Sequence, residues 1–169
     1  KIENKEIVLP AYTCKVMAMA VVRSGNKPVF MDICPDNYLI NVRESHNVFN
    51  KEVASVIPTL MYGNVLHPED LIPYLPEGTL VIEDAAMALP GRSLTSLMYP
   101  RSCALFSFNV GKIVCSIEGG ALATNNREIY ESVRKYCSTH MSKQPIGRIM
   151  VMIIKFIIII MMYKNSGYR

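Results

Sequence analysis

The sequence predicts an α/β fold: a three-layer α/β/α arrangement in which helices cover both faces of a mostly parallel central sheet. Two observations support this prediction. Short apolar runs alternate with helix-like segments along the first 140 residues, a pattern typical of βαβ units. The run Thr79–Glu83 (TLVIE) has a continuous apolar centre, as expected for a strand buried on both faces of a parallel sheet.

Strands are predicted where short apolar or alternating runs are bounded by turn residues. Pro10 ends the first run, Pro58 weakens the third because proline cannot donate to a ladder, and Glu118–Gly120 forms a turn before the last. The six predicted strands are Glu6–Leu9, Pro28–Ile33, Ser55–Leu60, Thr79–Glu83, Ala104–Phe108 and Ala121–Thr124.

Helices are predicted from apolar spacing and from residues that begin or end a helix. Thr13 is expected to cap the first helix and Gly25 to follow its end. Pro68 fits the first turn of a short helix, and Ile129 and Val133 lie on one face of the last predicted helix. The four predicted helices are Thr13–Ser24, Arg43–Glu52, His67–Leu75 and Arg127–His140.

Composition excludes several classes of protein. The chain has 169 residues, of which 50% are hydrophobic and 19% charged, and this excludes a disordered chain. A net charge of +4 and the lack of tryptophan give no support for nucleic-acid binding. The five cysteines are odd in number and have no CxxC spacing. We therefore expect no disulfide framework, no metal site and a reducing, cytoplasmic compartment.

The chain divides into residues 1–140, a folded domain, and residues 141–169, a basic Ile/Met-rich helical tail. Residues 1–126 carry ten basic and twelve acidic residues, whereas residues 127–169 carry eight and two. Within 149–162 only Lys155 is not apolar. Three interpretations stay open: a buried core helix, a helix lying at a membrane surface, or a membrane span, for which the run is shorter than the usual ~20 residues.

Two polar residues follow neighbouring predicted strands. Asp84 ends the predicted strand VIED. In open parallel sheets, ligands bind beyond the carboxyl ends of the strands, so Asp84 is a candidate binding residue, although aspartate is also a common helix cap. Lys112 follows ALFSF within SFNVGK, and a lysine in a cleft can form a Schiff base, although most lysines are simply exposed. Ser107 and Gly111 beside it are suited to an anion such as phosphate.

Taken in order, these motifs resemble one family. The matching stretches are VLPAYT (8–13), SGNKPVFMDICPDNYLIN (24–41), the YG of 62–63, VIEDAA (81–86), ALFSFNVGK (104–112) and EGGALATNN (118–126). Together they resemble the DegT-type nucleotide-sugar aminotransferases, which are pyridoxal-phosphate (PLP) enzymes of the aspartate-aminotransferase fold. The resemblance runs from about Glu6 to Tyr136 and implies that residues 1–140 are part of the large PLP-binding domain.

The resemblance implies roles for individual residues. Lys112 would hold PLP as an internal aldimine and then transfer protons. Asp84 would pair with the pyridine nitrogen, which makes the ring a better electron sink. Ala86 would lie flat under the ring, and Ser107 would hydrogen-bond the phosphate.

Three positions depart from the family pattern. Met87 stands where the family usually has a glutamine at the ring hydroxyl, and Cys14 where many members stack an aromatic side chain on the ring. Both are therefore expected at the cofactor. Leu60 stands where many members carry histidine. The family's first glycine–threonine phosphate turn and its small C-terminal domain are not found in this stretch, which is why we interpret the chain as a fragment of the large domain.

The function implied is transfer of an amino group, commonly from glutamate, to a keto-sugar nucleotide in polysaccharide or cell-surface sugar biosynthesis. The family's sugar dehydratases usually replace the lysine by histidine, so Lys112 favours transamination. A homodimer is implied for the complete protein, in the cytoplasm or peripheral to the inner face of the membrane through 149–162. The alternative is a non-catalytic relic or a membrane-associated binding module of the same fold.

Overall fold

The computed structural model describes residues 2–43, 48–89, 98–142 and 145–165. Its strands are β1 (Glu6–Pro10), β2 (Lys27–Met31), β3 (Val53–Val56), β4 (Leu80–Asp84), β5 (Ser102–Ser107) and β6 (Gly120–Ala123). Its helices are α1 (Lys15–Arg23), α2 (Pro68–Leu71), α3 (Arg127–His140) and α4 (Ile146–Asn165). Short 3₁₀ turns cover Met61–Gly63 and Ile72–Tyr74.

The six strands form one sheet in the order β2-β1-β3-β4-β5-β6. All neighbours are parallel except β5 and β6, which are antiparallel. The predicted α/β class with a mostly parallel central sheet is therefore confirmed. Because β4 and β5 are adjacent and parallel, the residues that follow them emerge at the same edge of the sheet.

Alternating strand residues pack against different layers on the two faces of the sheet. On one face, Val8, Val56 and Val81 are fully buried and belong to a core that includes Leu71 of α2. On the other face, a smaller core packs the strands against Val21 of α1. The period-two alternation of the strands thus builds the three layers.

The start of the first helix differs from the prediction. Cys14, not Thr13, precedes the first helical residue, and it provides no side-chain cap. The Thr13 hydroxyl instead forms a hydrogen bond of 2.8 Å with the hydroxyl of Thr59. A threonine side chain that finds a tertiary partner is no longer available to the helix end, so this contact ties the loop after β1 to the chain after β3.

The third strand and the helix predicted before it are also displaced. β3 ends at Val56, before Pro58. Residues 44–47 of the predicted helix Arg43–Glu52 lie outside the described residues, and residues 48–52 are turns and irregular chain without a helix. There the Asn50 side chain accepts a 2.7 Å hydrogen bond from the Glu52 backbone N–H, an Asx turn that competes with helix formation.

The last two helices, α3 and α4, follow the sheet in the chain. α3 begins and ends as predicted, and Asn126 caps it by accepting a hydrogen bond from the Ile129 N–H at 3.0 Å.

α4 is not a buried core helix, because its described side chains from 146 to 162 are exposed or half-buried. No helix among the described residues is both long enough and apolar enough to cross a membrane. An ion pair of 3.0 Å joins Arg148 to Glu118, next to the turn before β6.

Candidate functional site

A cleft of about 290 Å³ opens where β1, β3 and β4 end. Five of the six residues predicted to contact the cofactor line it together. They are Cys14, Asp84, Ala86, Met87 and Lys112. Residues from three separate segments of the chain therefore converge on one space, as expected for the carboxyl edge of a parallel sheet.

Asp84 is the last residue of β4 and is held rigidly there. Its backbone N–H donates to the Pro58 carbonyl at 2.8 Å, and its carbonyl accepts from the Leu60 N–H at 2.9 Å. Its side chain accepts a 3.0 Å hydrogen bond from the Ala86 backbone N–H through Oδ1. Through residue 89 this contact closes a turn and does not cap a helix, so the helix-cap alternative fails for the described residues.

Asp84 as a whole residue is only 6% exposed. Burial raises its pKa above the usual value of 3.8, while the Ala86 N–H and the nearby positive charge of Lys112 act in the opposite direction. A buried carboxylate that faces a cleft is costly unless a cation or donor meets it. Among the described residues Oδ2 has no hydrogen-bond partner, so the site is suited to a cationic or N–H group of a ligand.

Lys112 reaches the cleft from the loop between β5 and β6. Gly111 before it has a φ of +83°, a conformation that favours glycine, and the Lys112 N–H donates to the Asn109 carbonyl at 3.1 Å. Its ammonium Nζ lies 3.3 Å from the Met87 sulfur. Thioether sulfur is a weak, neutral acceptor, so this contact positions the amine, and the charge of Lys112 also interacts with the nearby Asp84 carboxyl group.

Ser107 does not line this cleft. It ends β5, opposite Gly120 of β6, and its side chain lines a narrow neighbouring cavity of about 10 Å³. Ala86 lines both spaces. The predicted phosphate contact of Ser107 thus stays a prediction.

Close packing explains why two glycines, Gly119 and Gly120, stand at the start of β6. Gly119 has a φ of +128°, where other residues are strained. A Cβ added to Gly120 would lie 2.7 Å from the Phe106 carbonyl oxygen, well inside contact distance. The two glycines let β6 approach β5 closely, and the Gly119 N–H donates to the Asn109 side chain at 3.2 Å, which fixes the loop that carries Lys112.

Four further residues line the cleft that motif reasoning did not single out as site residues: Tyr12, Thr13, Thr59 and Met61. Tyr12 and Thr13 lie directly after β1, at the same sheet edge as Asp84. Their position could have identified them, because every residue that follows a parallel strand is a candidate for ligand binding at that edge. Met61 and Thr59 could be found only once the register of β3 was known.

Comparison with known proteins agrees with this architecture. Residues 1–155 match the model of the DegT/DnrJ/EryC1/StrS aminotransferase family. The dTDP-4-amino-4,6-dideoxy-D-glucose transaminase of Shigella dysenteriae is 28% identical over 130 residues, which cover 76% of this chain and 35% of that protein. The chain spans about a third of the length of the curated relatives it matches.

Two solved structures share the fold. The S. venezuelae DesV structure in complex with a ketimine intermediate has a TM-score of 0.71 at 26% identity, and the match covers 85% of this chain and 39% of that one. The E. coli GDP-4-keto-6-deoxy-D-mannose-3-dehydratase with bound hydrated PLP has a TM-score of 0.70 at 16% identity, covering 79% and 35%. On the strength of the family match over most of its length, the chain belongs to the DegT/DnrJ/EryC1/StrS aminotransferase family.

Proposed function

We propose that this chain forms the PLP-binding part of an aminotransferase that transfers an amino group from glutamate to a keto-sugar nucleotide. The observation that carries the proposal is that buried Asp84 and Lys112 line one cleft. The transaminase named among the relatives supports the reaction type, and the retained Lys112 favours transamination over the dehydratase variant. Polysaccharide or cell-surface sugar biosynthesis in the cytoplasm is the setting we propose, with a homodimer as the complete enzyme.

The cleft fits PLP in the features the described residues provide. Asp84 offers a buried carboxylate oxygen for a ring N–H, and the small side chain of Ala86 leaves room for a flat ring. When bound, PLP supplies an electron sink for the carbon that exchanges its amino group. We propose that Lys112 binds it covalently, that Ser107 contacts its phosphate, and that Met87 and Cys14 contact the ring.

The protein's own contribution to the chemistry is to place a base. Lys112 Nζ must lose a proton in order to accept one from a substrate carbon, which is general acid–base catalysis. Its contact with the Met87 sulfur at 3.3 Å positions the amine in the cleft. The Asp84 carboxylate and a protonated ring nitrogen would stabilise each other, so that the nitrogen keeps its proton.

The competing proposal is a non-catalytic module of the same fold. It requires that the cleft neither hold PLP nor support turnover. It is supported by Met87, which stands where the family usually has a glutamine at the ring hydroxyl and cannot donate that hydrogen bond. It makes Asp84 a buried charge without a use, which is why we favour the aminotransferase.

Nitrogen transfer tests the proposal directly. The chain is incubated with PLP, ¹⁵N-glutamate and keto-sugar nucleotides of the dTDP, UDP and GDP series, and mass spectrometry follows ¹⁵N into the sugar. We expect labelled amino sugar and a loss of at least ~100-fold in rate for Lys112→Ala, the range typical of a general base. Undiminished labelling in Lys112→Ala would contradict the mechanism, and PLP binding without any labelling would favour the non-catalytic module.

A further inference from the structure

Three tyrosines form a cluster that begins in the Lys112 cleft. The tyrosine cluster consists of Tyr12 after β1, Tyr38 in the loop after β2, and Tyr62 in the 3₁₀ turn after β3. Their ring centroids are 5.9 Å (12–38), 6.5 Å (12–62) and 5.4 Å (38–62) apart, which is the range of interacting aromatic pairs. The hydroxyls of Tyr12 and Tyr62 are hydrogen-bonded at 2.6 Å.

The cluster is not part of either hydrophobic core. Tyr12, Tyr38 and Tyr62 are 43%, 42% and 58% exposed. Tyr38 and Tyr62 also have positive φ angles of 60° and 56°, a left-handed conformation that is uncommon for bulky side chains. Strained backbone of this kind persists only where the surrounding structure holds it, and it is concentrated at functional sites.

Hydrogen bonds hold the two strained loops together. The Asn64 side chain donates to the Asn37 carbonyl at 3.0 Å, which joins the residue before Tyr38 to the turn that carries Tyr62. The Tyr38 N–H donates to the Cys34 carbonyl at 2.9 Å. The fold thus fixes three separate segments so that exposed rings stand side by side.

Position connects this surface to the chemistry. Tyr12 lines the cleft together with Lys112, and so does Met61, the residue before Tyr62. A substrate whose reacting carbon lies at Lys112 shares the cleft with Tyr12, so its neighbouring atoms can contact that ring. In a sugar nucleotide those atoms belong to the sugar ring.

Ring geometry distinguishes a sugar from a nucleobase. The three interplanar angles are 44°, 34° and 76°, so no two rings are parallel and no slot for a flat base exists between them. A puckered sugar offers C–H groups to tilted rings and hydroxyls to polar tips. The hydrogen bond with Tyr12 raises the pKa of Tyr62 above its usual value. Because one phenol donates to the other, the O–H of the accepting phenol is left to donate outward.

We propose that the tyrosine cluster binds the sugar ring of the substrate next to the reacting carbon. This inference rests on the proposed function, since it assigns a subsite to the same cleft. It makes Tyr12, Tyr38 and Tyr62 specificity-determining residues for the carbohydrate and gives their phenol groups no part in proton transfer.

Binding of unreactive sugar nucleotides tests the inference. The PLP-treated chain is titrated with dTDP-glucose, UDP-glucose and GDP-mannose and with the matching nucleoside diphosphates, followed by NMR saturation transfer and calorimetry. We expect at least one sugar nucleotide to bind about tenfold more tightly than its diphosphate. Tyr12→Leu and Tyr38→Leu should abolish that difference, whereas Tyr74→Leu, a control tyrosine that is 38% exposed in a 3₁₀ turn, should preserve it.

Two further measurements keep the outcomes distinct. Tyr62→Asn should keep or raise the melting temperature, because asparagine tolerates the left-handed conformation, and should still weaken sugar binding. PLP labelling of Lys112 should be unchanged in Tyr38→Leu and Tyr62→Asn, because Tyr38 and Tyr62 do not line the Lys112 cleft. If labelling succeeds but no sugar nucleotide binds better than its diphosphate, or the folded cluster variants bind as well as wild type, the inference is wrong. If sugar binding depends on the cluster but Lys112 is never labelled, the proposed function fails and the subsite stands.

Discussion

At the scale of single residues, Asp84 combines two properties that oppose each other. Its carboxyl group is buried at the end of β4, and burial raises its pKa. Its proposed partner, a ring nitrogen, requires the ionised form. Without a ligand, ionisation of Asp84 at neutral pH therefore lowers the stability of the folded chain.

Replacing Asp84 by asparagine should separate stability from binding. Because the pKa is raised in the folded state, the folded chain binds the proton more tightly than the unfolded chain does. The stability gained from this proton is complete below the ordinary pKa of 3.8 and is lost as pH rises through the raised value. Asp84→Asn should therefore become progressively more stable than wild type over that window and, at neutral pH, bind PLP at least about tenfold more weakly.

Urea unfolding of both proteins from about pH 4 to 7 measures the first effect, and PLP titration the second. The exposed Asp36→Asn provides the matched control. A stability difference between Asp84→Asn and wild type that does not change with pH would contradict the assigned burial effect.

The residue scale also shows what sequence can and cannot predict about the site. Asp84, Ala86 and Lys112 could be placed in one cleft because parallel strands deliver their following residues to a common edge. The contact made by Thr13 could not be predicted, since its hydroxyl forms a hydrogen bond with Thr59, 46 residues away. The tyrosine cluster likewise depends on three loops whose contact follows from strand order and from two unusual backbone conformations.

At the scale of elements, the pairing of β5 with β6 positions the Lys112 loop. The Phe108 N–H donates to the Gly119 carbonyl at 2.9 Å and the Ser116 N–H to the Phe108 carbonyl at 2.8 Å. These contacts close the loop directly beyond β5. Its geometry therefore depends on the close approach that Gly120 permits.

Gly120→Ala should disturb that approach. The added Cβ would lie 2.7 Å from the Phe106 carbonyl oxygen, a backbone atom that cannot rotate away, so we expect a loss of about 1–3 kcal/mol in the free energy of unfolding. Gly147→Ala is the control, because nothing lies within 4 Å of its added Cβ and alanine favours the helix. Chemical denaturation compares the two, and an equally small effect of both substitutions would show that β6 can move away from β5.

Element boundaries were predictable where local signals agreed. α3 has a capping asparagine and an amphipathic pattern, and both of its ends were predicted correctly. β3 begins and ends earlier than predicted. It ends before Pro58, which cannot donate a ladder hydrogen bond, and it begins at Val53, whose preceding neighbours in the sequence are polar. The segment before it became a turn because Asn50 bonds its own backbone. The helix prediction thus failed where a side chain forms a hydrogen bond with the nearby backbone, which competes with helix formation.

At the scale of the whole molecule, α4 is the exceptional part. Its described apolar side chains from 146 to 162 are exposed or half-buried, with Ile146, Met150 and Ile157 among the exposed ones, and the ion pair between Arg148 and Glu118 joins it to the domain. Exposed apolar surface of this extent marks an interaction site.

We expect α4 to lie at the surface of anionic membranes. Its apolar residues would enter the headgroup boundary while Arg148 and Lys155 attract the lipid charge. The intact chain should float with phosphatidylserine-containing vesicles, Lys155→Glu should float less at low salt, and a chain lacking residues 148–169 should stay in the soluble fraction. If intact and shortened chains both stay soluble, the membrane proposal is wrong.

The central claim is that this domain holds PLP on Lys112, and the most direct measurement is to find the modified residue. The folded chain is treated with PLP, followed by visible absorbance, reduced with borohydride and mapped by peptide mass spectrometry. The account predicts one dominant labelled peptide that contains Lys112, absent in Lys112→Ala and retained in Lys135→Ala, a control on exposed α3. A folded chain that gives no adduct, or one whose label is spread over surface lysines and survives Lys112→Ala, would contradict it.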